Sequence, residues 1–144
     1  MEKATGLTIE KIAVINSNIL FLIYDHSALH LTLQDQKASA ILASHGYPPD
    51  ISPEEKIRYL SQRMSQDAFP HEIGIFLGYP PEDVIAYTEN AGRNSTCCRY
   101  WKAYGNAEKA REIWAQIDEA QSYAVDVLRN FPPIHIAANM LKAQ

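Results

Sequence analysis

The chain has no run of about 18 uninterrupted apolar residues, so no membrane-spanning helix is expected. It has only two cysteines, the adjacent pair Cys97 and Cys98. Sequence neighbours rarely bond to each other, so reduced thiols are expected rather than a disulfide framework. Positive charge is not in excess: 13 Lys and Arg stand against 17 Asp and Glu, for a net charge of −4. That balance supplies no broad field for phosphate backbones and argues against nucleic acid as a partner. Gly-x-x-x-x-Gly-Lys, Gly-x-Gly-x-x-Gly, Gly-x-Ser-x-Gly and His-Glu-x-x-His are all missing, which removes the main support for familiar nucleotide, hydrolase and zinc-protease readings. Residues 1–6 lack a charged-then-apolar leader layout, so the expected location is cytoplasmic.

What remains is a chain of 144 residues, 47% apolar, enough for one ordinary core without staples. We read residues 1–133 as a single α+β domain and 134–144 as a short tail or helix. Residues 10–16 read as a strand, Asn16-Ser17-Asn18 as a turn, and residues 19–24 as a second strand, apolar on both faces and so suited to cover on both sides. Residues 25–34 fit either extended chain or helix, since Leu29, Leu31 and Leu33 alternate while Leu29 and Leu33 also lie one helical turn apart. Residues 36–45 read as a helix stopped by Gly46. Ser52-Pro53-Glu54-Glu55 is a strong helix start. Residues 71–77 alternate as a strand would, Pro80-Pro81-Glu82-Asp83 opens another helix, and residues 99–104 read as a further strand. Asn106 caps a long helix to about Arg129, with a stripe from Ala110 to Leu128. Gly-Tyr-Pro-Pro occurs at Gly46 and again at Gly78, after a helix pattern and after a strand pattern, which suggests one turn chemistry used twice.

Chemistry concentrates between Phe69 and Tyr104. His71 supplies an imidazole and Glu72 a carboxylate beside it; either belongs to a site, or His71 simply begins a strand and bonds a carbonyl. Gly74 and Gly78 flank Phe76 on one face, where a ligand or another element must approach closely. Alternation sets Tyr100, Lys102 and Tyr104 on one face of their strand, a cation between two tyrosines suited to an anionic or planar ligand, or to plain cross-strand packing. On neighbouring strands Glu72 is expected to pair with Lys102. The cysteine pair lacks Cys-x-x-Cys spacing, so no metal is assigned and Cys98 is expected to be buried and inert. Residues 90–94 form a helix-ending loop with a cation, read as a backbone nest for an anion or as a plain turn.

Phe69-Pro70-His71-Glu72-Ile73-Gly74-Ile75-Phe76-Leu77-Gly78-Tyr79-Pro80, Glu82-Asp83-Val84, Glu89-Asn90 with Gly92 and Asn94, and Cys98 with Tyr100-Trp101-Lys102 and Tyr104-Gly105 together resemble an uncharacterised bacterial family known as a domain of unknown function. The resemblance implies a bacterial cytosolic protein with a shared polar and aromatic surface, and it implies no activity and no cofactor. It departs where the family often has arginine and proline after a strand tyrosine, since Tyr24 is followed by Asp25-His26; Cys97 has no counterpart, and Ala103 stands for the usual valine.

The ligand-binding candidates are therefore His71, Glu72, Tyr79, Asn90, Cys98, Tyr100, Trp101, Lys102 and Tyr104. Two functions stay open. One is a binding or assembly module with this shared surface, homo-oligomeric through the tail, where Ile134, Ile136, Met140 and Leu141 are too apolar to stand free. The other is a small-ligand-binding protein or enzyme built around His71, Glu72, Cys98 and Lys102.

Overall fold

The structure is a computed structural model that describes residues 6–65 and 69–130. The expected tail, residues 134–144, lies outside the described residues. The architecture is α+β, as expected: among the described residues there are two small antiparallel hairpins and six helices.

Strands β1 (Leu7–Ile15) and β2 (Asn18–Asp25) pair antiparallel from Leu7↔Asp25 to Ile15↔Asn18. The two-residue loop between them holds Asn16 at φ 50° and Ser17 at φ 66°, the double left-handed turn that matches strand twist. A bulge between Lys11 and Ala13 lets Ile12 and Ala13 both face inward. Leu22 and Tyr24 point into the core, while Val14, Ile19, Phe21 and Ile23 are all more than half exposed. The outer face of β2, expected to be covered, is therefore open among the described residues.

Helix α1 (His26–Gln34) settles the ambiguous segment as a helix. Asp25 Oδ1 accepts from the Ala28 amide at 2.9 Å and caps it, and Leu29 and Leu33 are buried one turn apart. Asp35 repeats the device for α2 (Gln36–Ser44), accepting from the Ala38 amide at 2.9 Å. Helix α3 (Pro53–Met64) starts with the expected capping box between Ser52 and Glu55 and buries Ile57, Leu60 and Met64. These elements close one core with Ile75, Phe76, Tyr47 and Val84.

The expected strand at residues 71–77 is instead a turn leading into the one-turn helix α4 (Ile73–Phe76). The chain reverses there because Gly78 takes φ +75°: its amide donates to Ile75 O at 3.1 Å and the Tyr79 amide reaches Gly74 O at 2.9 Å. That pair of bonds is the Schellman helix end. Gly46, at φ +85°, closes α2 in the same way, with its amide on Ala43 O at 3.0 Å and the Tyr47 amide on Leu42 O at 3.1 Å. Both Gly-Tyr-Pro-Pro copies are thus helix ends; Tyr47 then packs against Tyr59 and Phe76, and Tyr79 lies against Gly74.

Helix α5 (Pro81–Glu89) follows, with proline in its first turn. The expected strand at residues 99–104 is a second hairpin, β3 (Cys97–Cys98) and β4 (Lys102–Ala103), joined by the turn Arg99–Tyr100–Trp101. Asn106 Oδ1 then caps the long helix α6 (Ala107–Asn130), accepting from the Glu108 and Lys109 amides at 3.0 Å. Ala110, Trp114 and Val127 are buried, whereas Leu128 of the expected stripe is 47% exposed. Trp101, Ala103, Ala110 and Trp114 form a second, smaller core, and Tyr79 packs against both cores.

Candidate functional site

A half-open cavity of about 490 Å³ lies between the α4–α5 corner and the β3–β4 hairpin. Each wall follows from a local feature of the chain. The turn before α4 contributes Phe69 and His71, the helix end at Gly78 delivers Tyr79, α5 contributes Val84 and Tyr87, and the second hairpin contributes Cys98, Tyr100, Trp101 and Lys102. The floor is close-packed. Gly74 lies against Val84 and Tyr79 so tightly that a Cβ there would sit 2.9 Å from Val84 Cγ2. The expected close approach is therefore met at Gly74 by packing. Gly78 has nothing within 4 Å and is needed for its backbone angle alone.

The aromatic lining is ordered by ring contacts. Tyr79 stacks on Trp101 with ring centroids 5.2 Å apart, Trp101 meets Trp114 edge-on at 5.4 Å, and His71 meets Tyr87 edge-on at 5.1 Å. The Tyr79 hydroxyl donates to Tyr100 O at 3.2 Å, which ties the helix end to the hairpin turn. That turn is held from outside by α6: Arg99 Nη2 and the Tyr100 hydroxyl both donate to Asp118 Oδ1, at 2.8 and 2.7 Å. The bond to Asp118 is also the main reason the Tyr100 phenol is held above its ordinary value.

Asp83 organises the interior side. Its carboxylate is 6% exposed. Oδ2 accepts from Trp101 Nε1 at 2.8 Å, and Oδ1 from the amides of Tyr104 at 2.8 Å and Gly105 at 3.4 Å. Sequence reasoning read Asp83 only as an acid at a helix N-terminus; the signal pointing further was an indole and a turn downstream in need of an acceptor.

Lys102 lies across the hairpin from Cys98, its directly paired residue, so the two side chains share a face. Its ammonium donates to Gly92 O at 2.6 Å and lies 6.0 Å from the Tyr87 ring centroid. Among the described residues no carboxylate lies within 4.0 Å of it.

Six of the sequence candidates thus border one cavity: His71, Tyr79, Cys98, Tyr100, Trp101 and Lys102. Three do not. Asn90 is the C-cap of α5 and donates from Nδ2 to Ala86 O at 2.8 Å. Tyr104 follows β4, its hydroxyl buried without a hydrogen-bond partner among the described residues; burial, with Tyr87, Asp83 and Cys98 near it, holds the phenol above its ordinary value. Glu72 is 1% exposed and faces the first core, where it accepts from the Tyr47 hydroxyl at 3.2 Å and from Arg63 Nε, with His45 Nε2 3.8 Å away. The expected Glu72–Lys102 pair does not form, because a turn rather than a strand carries Glu72 and its carboxylate is directed into the first core onto Tyr47 and Arg63. Cys98 is exposed rather than buried, since it sits on the outer strand of a two-residue ladder at the cavity mouth. Phe69, Asp83, Tyr87 and Arg99 are lining residues that the sequence reading did not select.

Among the described residues no group of three or more His, Cys, Asp or Glu side chains is placed to hold a metal ion, and no helix is long and apolar enough to cross a membrane. A family model matches residues 1–135, and its description reads "Protein of unknown function (DUF3793)". No curated protein and no solved structure matches the chain.

Proposed function

The chain belongs to the DUF3793 family, whose description assigns no activity, and from that premise we propose that it binds a small organic molecule in the cavity between α5 and the β3–β4 hairpin. One observation supports this above the rest: side chains picked out by residue type over 32 positions, from His71 to Lys102, border a single concavity of about 490 Å³. That volume suits a small ligand, and the mix of aromatic walls with few polar groups is the usual composition of such sites.

The test uses Cys98 as a reporter. In a Cys97→Ser variant the remaining thiol lies at the cavity mouth, so an occupant should slow its modification by a thiol reagent. Screening a broad fragment library should yield compounds that protect Cys98 and also shift the indole N–H resonance of Trp101. A library in which nothing affects either signal would overturn the reading.

A second reading, a module that assembles with copies of itself, draws on the open apolar face of β1–β2, where Val14, Ile19, Phe21 and Ile23 are exposed together. It is independent of the cavity and is tested by oligomeric state.

A further inference from the structure

We infer that the ligand taken by this cavity is a flat aromatic molecule bearing an anionic group, with the ring held against the aromatic walls and the anion on Lys102 Nζ. This rests on the small-ligand reading above and specifies it.

Asp83, Arg99 and Lys102 are the charged side chains among the described residues that border the cavity. Asp83 is negative but already accepts three N–H donors, from Trp101, Tyr104 and Gly105, so its charge is spoken for inside the protein. Arg99 is positive but is directed onto Asp118 at 2.8 Å on the α6 side. Lys102 differs from both. An ammonium carries three donors. One goes to the carbonyl of Gly92, and among the described residues no carboxylate neutralises the charge. The position is half-buried beside the Tyr87 ring, so solvent compensates the ammonium less completely than at an open surface. An anion entering the cavity would meet two N–H donors that no acceptor among the described residues engages, on a cation already fixed by the backbone, which lowers the ordering cost of the contact.

Tyr79 and Trp101 are stacked and locked, the first through its hydroxyl on Tyr100 O and the second through its indole on Asp83. His71 and Tyr87 meet edge-on on the α4–α5 side. Fixed rings of this kind favour a planar guest, because stacking adds to area burial without reorganising the walls. A cationic guest would meet Lys102 with like charge in a confined space.

The test compares three matched probes on the full chain: naphthalene-2-carboxylate, its neutral carboxamide, and naphthalen-2-ylmethylammonium. Affinity is read from the Trp101 indole N–H shift and from protection of Cys98. The carboxylate should bind about tenfold or more tightly than the amide. The amine should be weakest, and added salt should weaken the carboxylate alone. Lys102→Met should erase the carboxylate's advantage and leave the amide's affinity within about threefold; Lys102→Arg should keep the advantage. Folding of both variants is checked by two-dimensional NMR. If Lys102→Met does not fold, the comparison of the three probes and their salt dependence on the native chain still decides.

Equal binding of carboxylate and amide, or an anion preference that persists in folded Lys102→Met, would overturn the inference and leave the cavity reading standing. Failure of all three probes would overturn it too, and would take the cavity reading with it only if the fragment library is also silent.

Discussion

Trp101 Nε1 donates to Asp83 Oδ2 at 2.8 Å, and both side chains are buried. The same carboxylate holds the amides of Tyr104 and Gly105, so one acid fixes the side chain before β4 and the backbone after it. Asp83→Ala strands up to three donors, of which the Trp101 indole is buried, and should lower the unfolding free energy by about 2–4 kcal/mol in urea titration. Asp83→Asn keeps acceptor capacity at one oxygen and should cost less. A loss below about 0.5 kcal/mol for the alanine variant would show that the hairpin is held in place by packing alone.

Tyr47 should make the protein sensitive to alkali. Burial, then the charge of Glu72, hold its phenol well above the ordinary 10.0. The sign follows from linkage. Above pH 10 the unfolded chain releases this proton and the native state keeps it, so stability is complete below pH 10 and is lost as pH rises beyond it. The slope from one such group is about 1.4 kcal/mol per pH unit. Tyr47→Phe should remove that slope from denaturation curves measured between pH 10 and 11, although it also loses the bond to Glu72. An unchanged slope would refute the assignment.

Gly74 and Gly78 should respond to alanine for different reasons. At Gly74 helix propensity favours alanine by about 0.5–1 kcal/mol, but the new Cβ would sit 2.9 Å from Val84 Cγ2 and 3.1 Å from Tyr79 Cδ2. Overpacking of that kind costs about 1–3 kcal/mol, so the net change is destabilising. Adding Val84→Ala to Gly74→Ala should recover part of the loss, which a thermal denaturation cycle would reveal as non-additivity. Gly78→Ala meets open space and should cost about 1–2 kcal/mol from its left-handed angle, with no coupling to Val84.

The open face of β1–β2 should drive self-association. Ile19, Phe21 and Ile23 are 54%, 56% and 60% exposed on one strand of a sheet whose outer edges have no further strand among the described residues. Sedimentation velocity across a concentration series should show growth in size, and Ile23→Lys should suppress it. A native chain that stays monomeric at all concentrations would mean that this face is tolerated rather than used.

Helix starts were legible at Ser52 and Asn106, where a capping side chain stands before an apolar period. The first hairpin was legible because Asn16-Ser17 can supply two left-handed residues between apolar runs. Asp25 carries the same capping signal, but the alternating leucines after it left residues 25–34 undecided, whereas the helix from Gln36 was legible. Residues 71–77 misled for a physical reason. A single helical turn is too short to display its period, and Ile73, Ile75 and Leu77 alternate by accident while Glu72, Ile75 and Phe76 share the buried side. The repeated Gly-Tyr-Pro-Pro held the answer, since a motif that ends a helix at Gly46 asks for a helix before Gly78 as well. The cavity was legible as residue types but not as a shape: Asp83 and Tyr87 join it only through the angle that α5 makes with the second hairpin, which no local pattern encodes.

Tyr79 packs against the larger core with one part of its surface and against the tryptophan core with another. The cavity opens along the same seam, with walls drawn from both sides. A guest there would therefore act as a mortar between the two blocks. Its affinity and the cohesion of the two blocks become one quantity, since whatever binds only the joined form adds RT ln(1 + [L]/Kd) to the free energy of keeping it joined.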